Sequence, residues 1–244
     1  MVVRFVDVGD GLRVTSFAGD DWRDCKDYVR ERLGLSRDFA RPDPLHVDDR
    51  PRIDVDKLRK QRDALSMWAR SKPLAGTLAE TYLASRGLSY EGDALRFYPG
   101  GRAMIALITD IGTSDPCGVH CTYLDRDGKK TGRKMHGRAG GGVVRLSSDD
   151  EVTTGLALAE GIETALATPS RPVWATLSAG TLERFPVLDG IEALTIFADN
   201  DASGTGQRAA NECARRWHEA ERETTINIVN QVGADFADLI SEAA

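Results

Sequence analysis

Cysteine is scarce in this chain, with four among 244 residues, at positions 25, 117, 121 and 213. That density excludes a disulfide-stapled scaffold and suits a reducing compartment. Long apolar runs are missing as well. None approaches the roughly 18 residues of a membrane helix, and the N-terminus has no signal-peptide core. A cytoplasmic protein with no membrane partner is therefore expected. An excess of positive charge is also absent, since 32 Lys and Arg face 38 Asp and Glu for a net charge of −6. Global charge alone is thus a poor match to a polyanion substrate. The imbalance is local: residues 150–244 hold 16 acidic and 6 basic side chains, against 22 and 26 in residues 1–149. An acidic half beside a mildly basic half fits a site that holds a cation and a phosphate together. With 41% hydrophobic and 29% charged residues, the composition is that of an ordinary globular protein with core enough for one large or two small domains.

The most informative stretch is 156–204. It opens with LALAEGIETALA, crosses PVWATLSAG and closes with ALTIFADNDASG. Each segment begins with a short apolar run that stops at a carboxylate or a small-residue turn. Runs of four to six such residues read as strands buried on both faces, and the helical patterns between them predict a parallel α/β sheet. In such sheets chemistry collects beyond the carboxyl ends of the strands. Glu160 falls there, and so do Asp199 and Asp201. A few strand-end carboxylates suit Mg²⁺ or Mn²⁺, which bind oxygen ligands, water and substrate phosphates.

Glu160–Gly161 after the first strand, Asp199-x-Asp201 after the third and Asp235 in VGADFADL resemble the signature of the Toprim domain, shared by primases, topoisomerases and certain nucleases. The resemblance covers 154–244. It implies a C-terminal Toprim domain with a parallel sheet flanked by helices, in which Glu160, Asp199, Asp201 and Asp235 hold one or two metals. Glu160, Asp199 and Asp201 are then the catalytic set, with Glu160 either a ligand or the group that handles the proton. Glu163, one helical turn beyond Glu160, is a further candidate, although the helix dipole alone favours a carboxylate there. Ser178 to Gly180 can border the site, and Asp238 is a weaker alternative to Asp235.

Ahead of this domain an α+β basic subdomain is expected at 56–150, after a linker at 40–55 rich in proline, Asp and Arg. Leu58, Leu65 and Trp68 fall at helical spacing in a helix ended by Pro73. A second helix follows, capped by Thr77 and stopped at Gly87. Strand candidates ALRFYP, AMIALITD, GVHCTYLD and GVVRL come next, with a basic loop in DRDGKKTGRKMHGRAGGGVVR. This segment resembles the one preceding the Toprim domain in primases, where such a loop faces the metal site. Arg102, Lys129, Lys130, Arg133 and Lys134 are the candidates for nucleotide or nucleic-acid phosphates. Cys117, His120, Cys121 and His136 lack a convincing second half-site for a metal. Residues 1–39 read as a β-hairpin and a helix resembling the tail of the zinc ribbon found ahead of phage and plasmid primases. Ser16 and Asp20 stand where that module has cysteines, so no zinc is expected.

The expectation is a primase-like nucleotidyltransferase of phage or plasmid type replication. It would use Mg²⁺ or Mn²⁺ to make short primers from NTPs on single-stranded DNA, with a replicative helicase as a further partner. A Toprim nuclease, or a binding module without turnover, is the alternative. A topoisomerase is disfavoured for want of gate domains.

Overall fold

The computed structural model describes residues 2–5, 12–15, 21–34, 54–200 and 203–228. The chain divides into two compact units, Met1–Arg52 and Ile53–Ala244. In the first, β1 (Val2–Phe5) pairs antiparallel with β2 (Leu12–Thr15), and α1 (Trp22–Arg32) follows. Asp21 caps α1 by accepting from the backbone N–H of Arg23 at 2.7 Å. Ser16, Asp20 and most of the expected linker lie outside the described residues.

The second unit opens with two helices. α2 (Val55–Ala69) is capped by Asp54, so its first turn takes in the last residues read as linker. It ends at Ala69, short of the expected stop at Pro73, because Lys72 is drawn into an extended bridge with Phe97. A residue before proline favours that extended backbone. Of the predicted apolar positions, Trp68 packs against the core beside the fully buried Ala64, Leu65 is half-buried and Leu58 is exposed. Gly118 and Gly137 pair beneath it, and a Cβ on Gly137 would lie 2.7 Å from the Cys117 carbonyl and 3.2 Å from the Ala64 methyl. Close approach thus requires a small residue at position 64. α3 (Leu78–Ser85) starts as predicted, with the Thr77 hydroxyl accepting from the Ala79 N–H.

One nine-stranded sheet organises the rest. It contains β3 (Leu95–Tyr98), β4 (Ala103–Asp110), β5 (Pro116–Leu124), β6 (Lys130–Gly137) and β7 (Gly142–Arg145). These antiparallel strands continue into β8 (Gly155–Ala159), β9 (Val173–Ala175), β10 (Ala193–Ala198) and β11 (Glu223–Ile228). The order is β11-β10-β8-β9-β7-β4-β5-β6, with β3 on β4; the first four strands are parallel to one another. The basic stretch expected as a loop is strand β6. Its backbone pairs along β5, and its Lys and Arg side chains suit a sheet edge, where charge discourages pairing with other chains.

Both faces of the parallel part are covered, as the apolar runs predict. Ala157, Ala159 and Phe197 join a core with α3 and with α4 (Ile162–Ala167). Leu156, Leu158, Leu194 and Ile196 point the other way, against α5 (Ala179–Glu183) and α6 (Thr205–Glu219). Ala209, Cys213 and Trp217, the predicted stripe of α6, are buried there. The antiparallel and parallel parts join at a short seam, Val144 opposite Ala175 and Arg145 opposite Trp174. The Arg145 guanidinium lies 4.4 Å from the Trp174 ring centroid and donates to the carbonyls of Asp110 and Ile111. Among the described residues no helix is long and apolar enough to cross a membrane.

Candidate metal centre and phosphate-binding face

The strand order sets the position of the site. β8 lies between β9 and β10, so the chain leaves β8 to one side and returns on the other. A crevice opens at such a switch point beyond the carboxyl ends of the strands. Glu160 directly follows β8 and Asp199 directly follows β10. The two strands are in parallel register, Ala159 opposite Phe197, at a spacing of about 4.8 Å. Both carboxylate residues are half-buried.

Hydrogen bonds from neighbouring turns hold the two strand ends. Leu177 N–H donates to the Glu160 carbonyl at 2.8 Å, and Thr176 N–H to that of Ala159 at 2.9 Å. Leu177 itself is buried with a φ of 64°, a left-handed conformation that a branched residue keeps only under surrounding constraint. Ser178, named as a possible border of the site, caps α5 by accepting from the Thr181 N–H at 3.2 Å. On the other side, the Thr164 hydroxyl donates to Asp199 Oδ1 at 3.1 Å. Gln207 of α6 donates to Asn200 Oδ1 at 2.5 Å. The donors at this mouth are carboxylate, amide and hydroxyl oxygens, a set that fits a hard divalent cation. Asp201, Asp235 and Asp238 lie outside the described residues. Among the described residues no three His, Cys, Asp or Glu side chains gather closely enough to hold a metal.

Glu163 points elsewhere. Its Oε1 accepts from Lys130 Nζ at 2.8 Å and from the Tyr82 hydroxyl at 2.6 Å. Burial alone would raise its pKa, but the Lys130 charge and the hydrogen bonds from Lys130 and Tyr82 outweigh burial and hold it at about 2. Tyr82 lies 81 residues away in sequence and carried no signal of this role.

The other basic candidates do not share one surface. Residues opposite each other on β5 and β6 point to the same face, and the register places Lys130 opposite Leu124, Arg133 opposite Thr122 and Lys134 opposite Cys121. Lys130 and Arg133 therefore face α4, while Lys134 shares the α2 face with Cys121 and Val119. Lys129 sits in the β5–β6 turn, where its N–H donates to Asp125. Arg102 is exposed at a left-handed turn before β4, its carbonyl accepting from Leu124. The Cys and His residues of β5 and β6 are dispersed. Cys117 and Cys121 fall in different cores, the Cys121 thiol is pushed up to about 11 by burial, and His136 pairs with the Tyr123 hydroxyl at 3.1 Å.

This arrangement is that of a domain with a parallel sheet whose acidic strand ends face outward, preceded by an antiparallel domain. Residues 155–244 match the Toprim domain family and form a Toprim domain. Residues 58–146 match a domain of unknown function, DUF7146. No curated protein matches the chain. Among solved structures, a DNA primase domain from Pseudomonas aeruginosa aligns at 15% identity with a TM-score of 0.45, covering 69% of this chain and 68% of that one.

Proposed function

We propose that this chain is a primase-like catalytic core that joins nucleotides on single-stranded DNA by metal-dependent phosphoryl transfer. The observation that carries the reading is the placing of Glu160 and Asp199 at neighbouring strand ends of a Toprim domain, with the basic strand β6 bonded to the helix that starts beside Glu160. A bound Mg²⁺ or Mn²⁺ would supply charge neutralisation of the phosphates and activation of the attacking hydroxyl. Glu160 and Asp199 would hold it, with Asp201 and Asp235 as the remaining acidic candidates. Thr164 orients the Asp199 carboxylate, and Asn200 is oriented by Gln207. Arg133 and Arg102 would take phosphates of the template or of NTPs; a replicative helicase is the natural supplier of exposed single strand.

Single-stranded circular DNA with labelled NTPs and Mg²⁺ or Mn²⁺ tests this. New short oligonucleotides support it. Metal-dependent cutting without synthesis makes the protein a nuclease, and a mobility shift alone makes it a binding module. The β6 register gives a sharper expectation. Arg133→Ala should flatten the dependence of log affinity on log salt by about 0.7, the slope per neutralised single-strand phosphate, and Lys134→Ala should leave it unchanged. Equal effects of the two variants would return β6 to the status of a solvated edge.

A further inference from the structure

The first turn of α4 works in two directions. Thr164 reaches Asp199, and Glu163, one residue earlier, reaches Lys130 and Tyr82. Three elements distant in sequence, α3, β6 and α4, thus meet on one carboxylate oxygen. Glu163 is 9% exposed, and Lys130 is the one cation bonded to it among the described residues. His120 and Thr122 point from β5 toward this face. Both are buried, and His120 Nδ1 and Thr122 Oγ1 make no hydrogen bond. Burial holds the His120 pKa down to about 4, so it brings no charge at neutral pH.

The sheet order gives this contact its meaning. Five strand spacings separate β8 from β6, about 24 Å along a flat sheet. The helix that follows β8 nevertheless bonds to a residue of β6. The Glu163–Lys130 bond therefore reaches across the face of the sheet, past the strands that lie between. The two parts also share the seam of β7 and β9, two residue pairs long, and one apolar core in which Met104, Ile108 and Val144 pack with Ala157, Ala159 and Phe197. Strand β6 adds no buried side chain to that core, so on this face the Glu163–Lys130 bond holds an edge that apolar packing does not.

We propose that Glu163 is a positioning residue: through Lys130 and Tyr82 it fixes the basic edge strand β6 at a set distance from Glu160 and Asp199. The proposal rests on the phosphoryl-transfer reading for the purpose of that geometry. It assigns Lys130 to holding the strand and leaves Arg133 to meet phosphate.

The test uses the full chain with a nitroxide on Met135→Cys, an exposed position of β6, in a Cys25→Ser background. The distance from the nitroxide to bound Mn²⁺ is read by pulsed electron paramagnetic resonance. Wild type should give one narrow distribution. Glu163→Gln and Lys130→Met should broaden it while Mn²⁺ affinity stays within about twofold, below the 10- to 100-fold loss that marks a group supporting the metal. An unchanged distribution, or Mn²⁺ affinity weakened tenfold or more in Glu163→Gln, overturns the proposal. If wild type takes up no Mn²⁺, the phosphoryl-transfer reading fails separately, and hydrogen exchange of the metal-free protein decides the positioning role. Exchange at β6 should then be about tenfold faster in Glu163→Gln, with β8 and β10 unchanged, since loss of one anchor opens a local unit only. Tyr82→Phe keeps the ion pair and the packing, and it should give about a threefold increase confined to the same strand. Wild-type exchange of β6 in both variants overturns the proposal.

Discussion

Asp199→Asn is expected to abolish metal-dependent turnover, with a loss of 100-fold or more, while leaving the fold intact. Asparagine keeps the oxygen that accepts from Thr164, so the end of β10 retains its hydrogen bond. It loses the negative charge, and with it a ligand for which a neutral amide is a poor replacement. Removal of one preorganised electrostatic group in an active site costs on the order of 100- to 1,000-fold. Without metal the same change should leave the melting temperature unchanged or raise it, because neighbouring strand-end carboxylates repel each other. Calorimetric titration with Mn²⁺ alongside thermal melts separates the two effects. Unaltered Mn²⁺ affinity in this variant would remove Asp199 from the metal centre. Glu160→Gln distinguishes the chemistries further. In synthesis it should lose product while retaining template binding. Loss of a metal-dependent cutting activity instead, with no synthesis by wild type, would identify Glu160 as the base that activates water.

Lys130→Met should be the most destabilising exchange in the basic strand, at about 3 kcal/mol. Breaking a buried pair by removing one partner costs about 3–5 kcal/mol, and the lower end applies because the Lys130 side chain is 33% exposed. The double variant with Glu163→Gln should recover much of the loss, since no buried charge then lacks a partner. The pH dependence has a definite sign. In wild type the Glu163 pKa is held at about 2, below its ordinary 4.5, so its stabilisation is complete above pH 4.5 and is lost as pH falls toward 2. Without Lys130, burial raises that pKa above the unfolded value, and the carboxyl becomes a liability that protonation relieves. The gap between wild type and Lys130→Met should therefore be widest near pH 7 and shrink below about pH 4. Urea unfolding at pH 7 and pH 3.5 measures it, and a gap independent of pH would assign the loss to packing alone.

The parallel half of the molecule was legible in the sequence for a plain physical reason. Strands buried on both faces write themselves as continuous apolar runs, and Leu156, Leu158, Leu194 and Ile196 announce β8 and β10 without help from distant residues. The carboxylates at their ends follow from the same reading. Strand β6 was not legible, because its lysines and arginines obey no apolar alternation. What makes it a strand is backbone pairing to β5, a contact that sequence periodicity does not record. The burial of Ala64 in α2 was missed because Gly118 and Gly137 decide it from another element. Glu163 was seen, and its partner was not, since nothing local links α4 to Tyr82 or Lys130.

The seam between β7 and β9 also bears on where this chain can be divided. Family boundaries fall at 146 and 155, yet the hydrogen-bonded ladder runs straight across them. A fragment beginning at 155 would carry β9 as a bare edge and would strip α3 from the apolar face formed by Ala157, Ala159 and Phe197. An unpaired apolar edge beside an uncovered face is a template for association with other copies. The unit of inheritance and the unit of solubility therefore differ in this protein, and the second is set by the sheet.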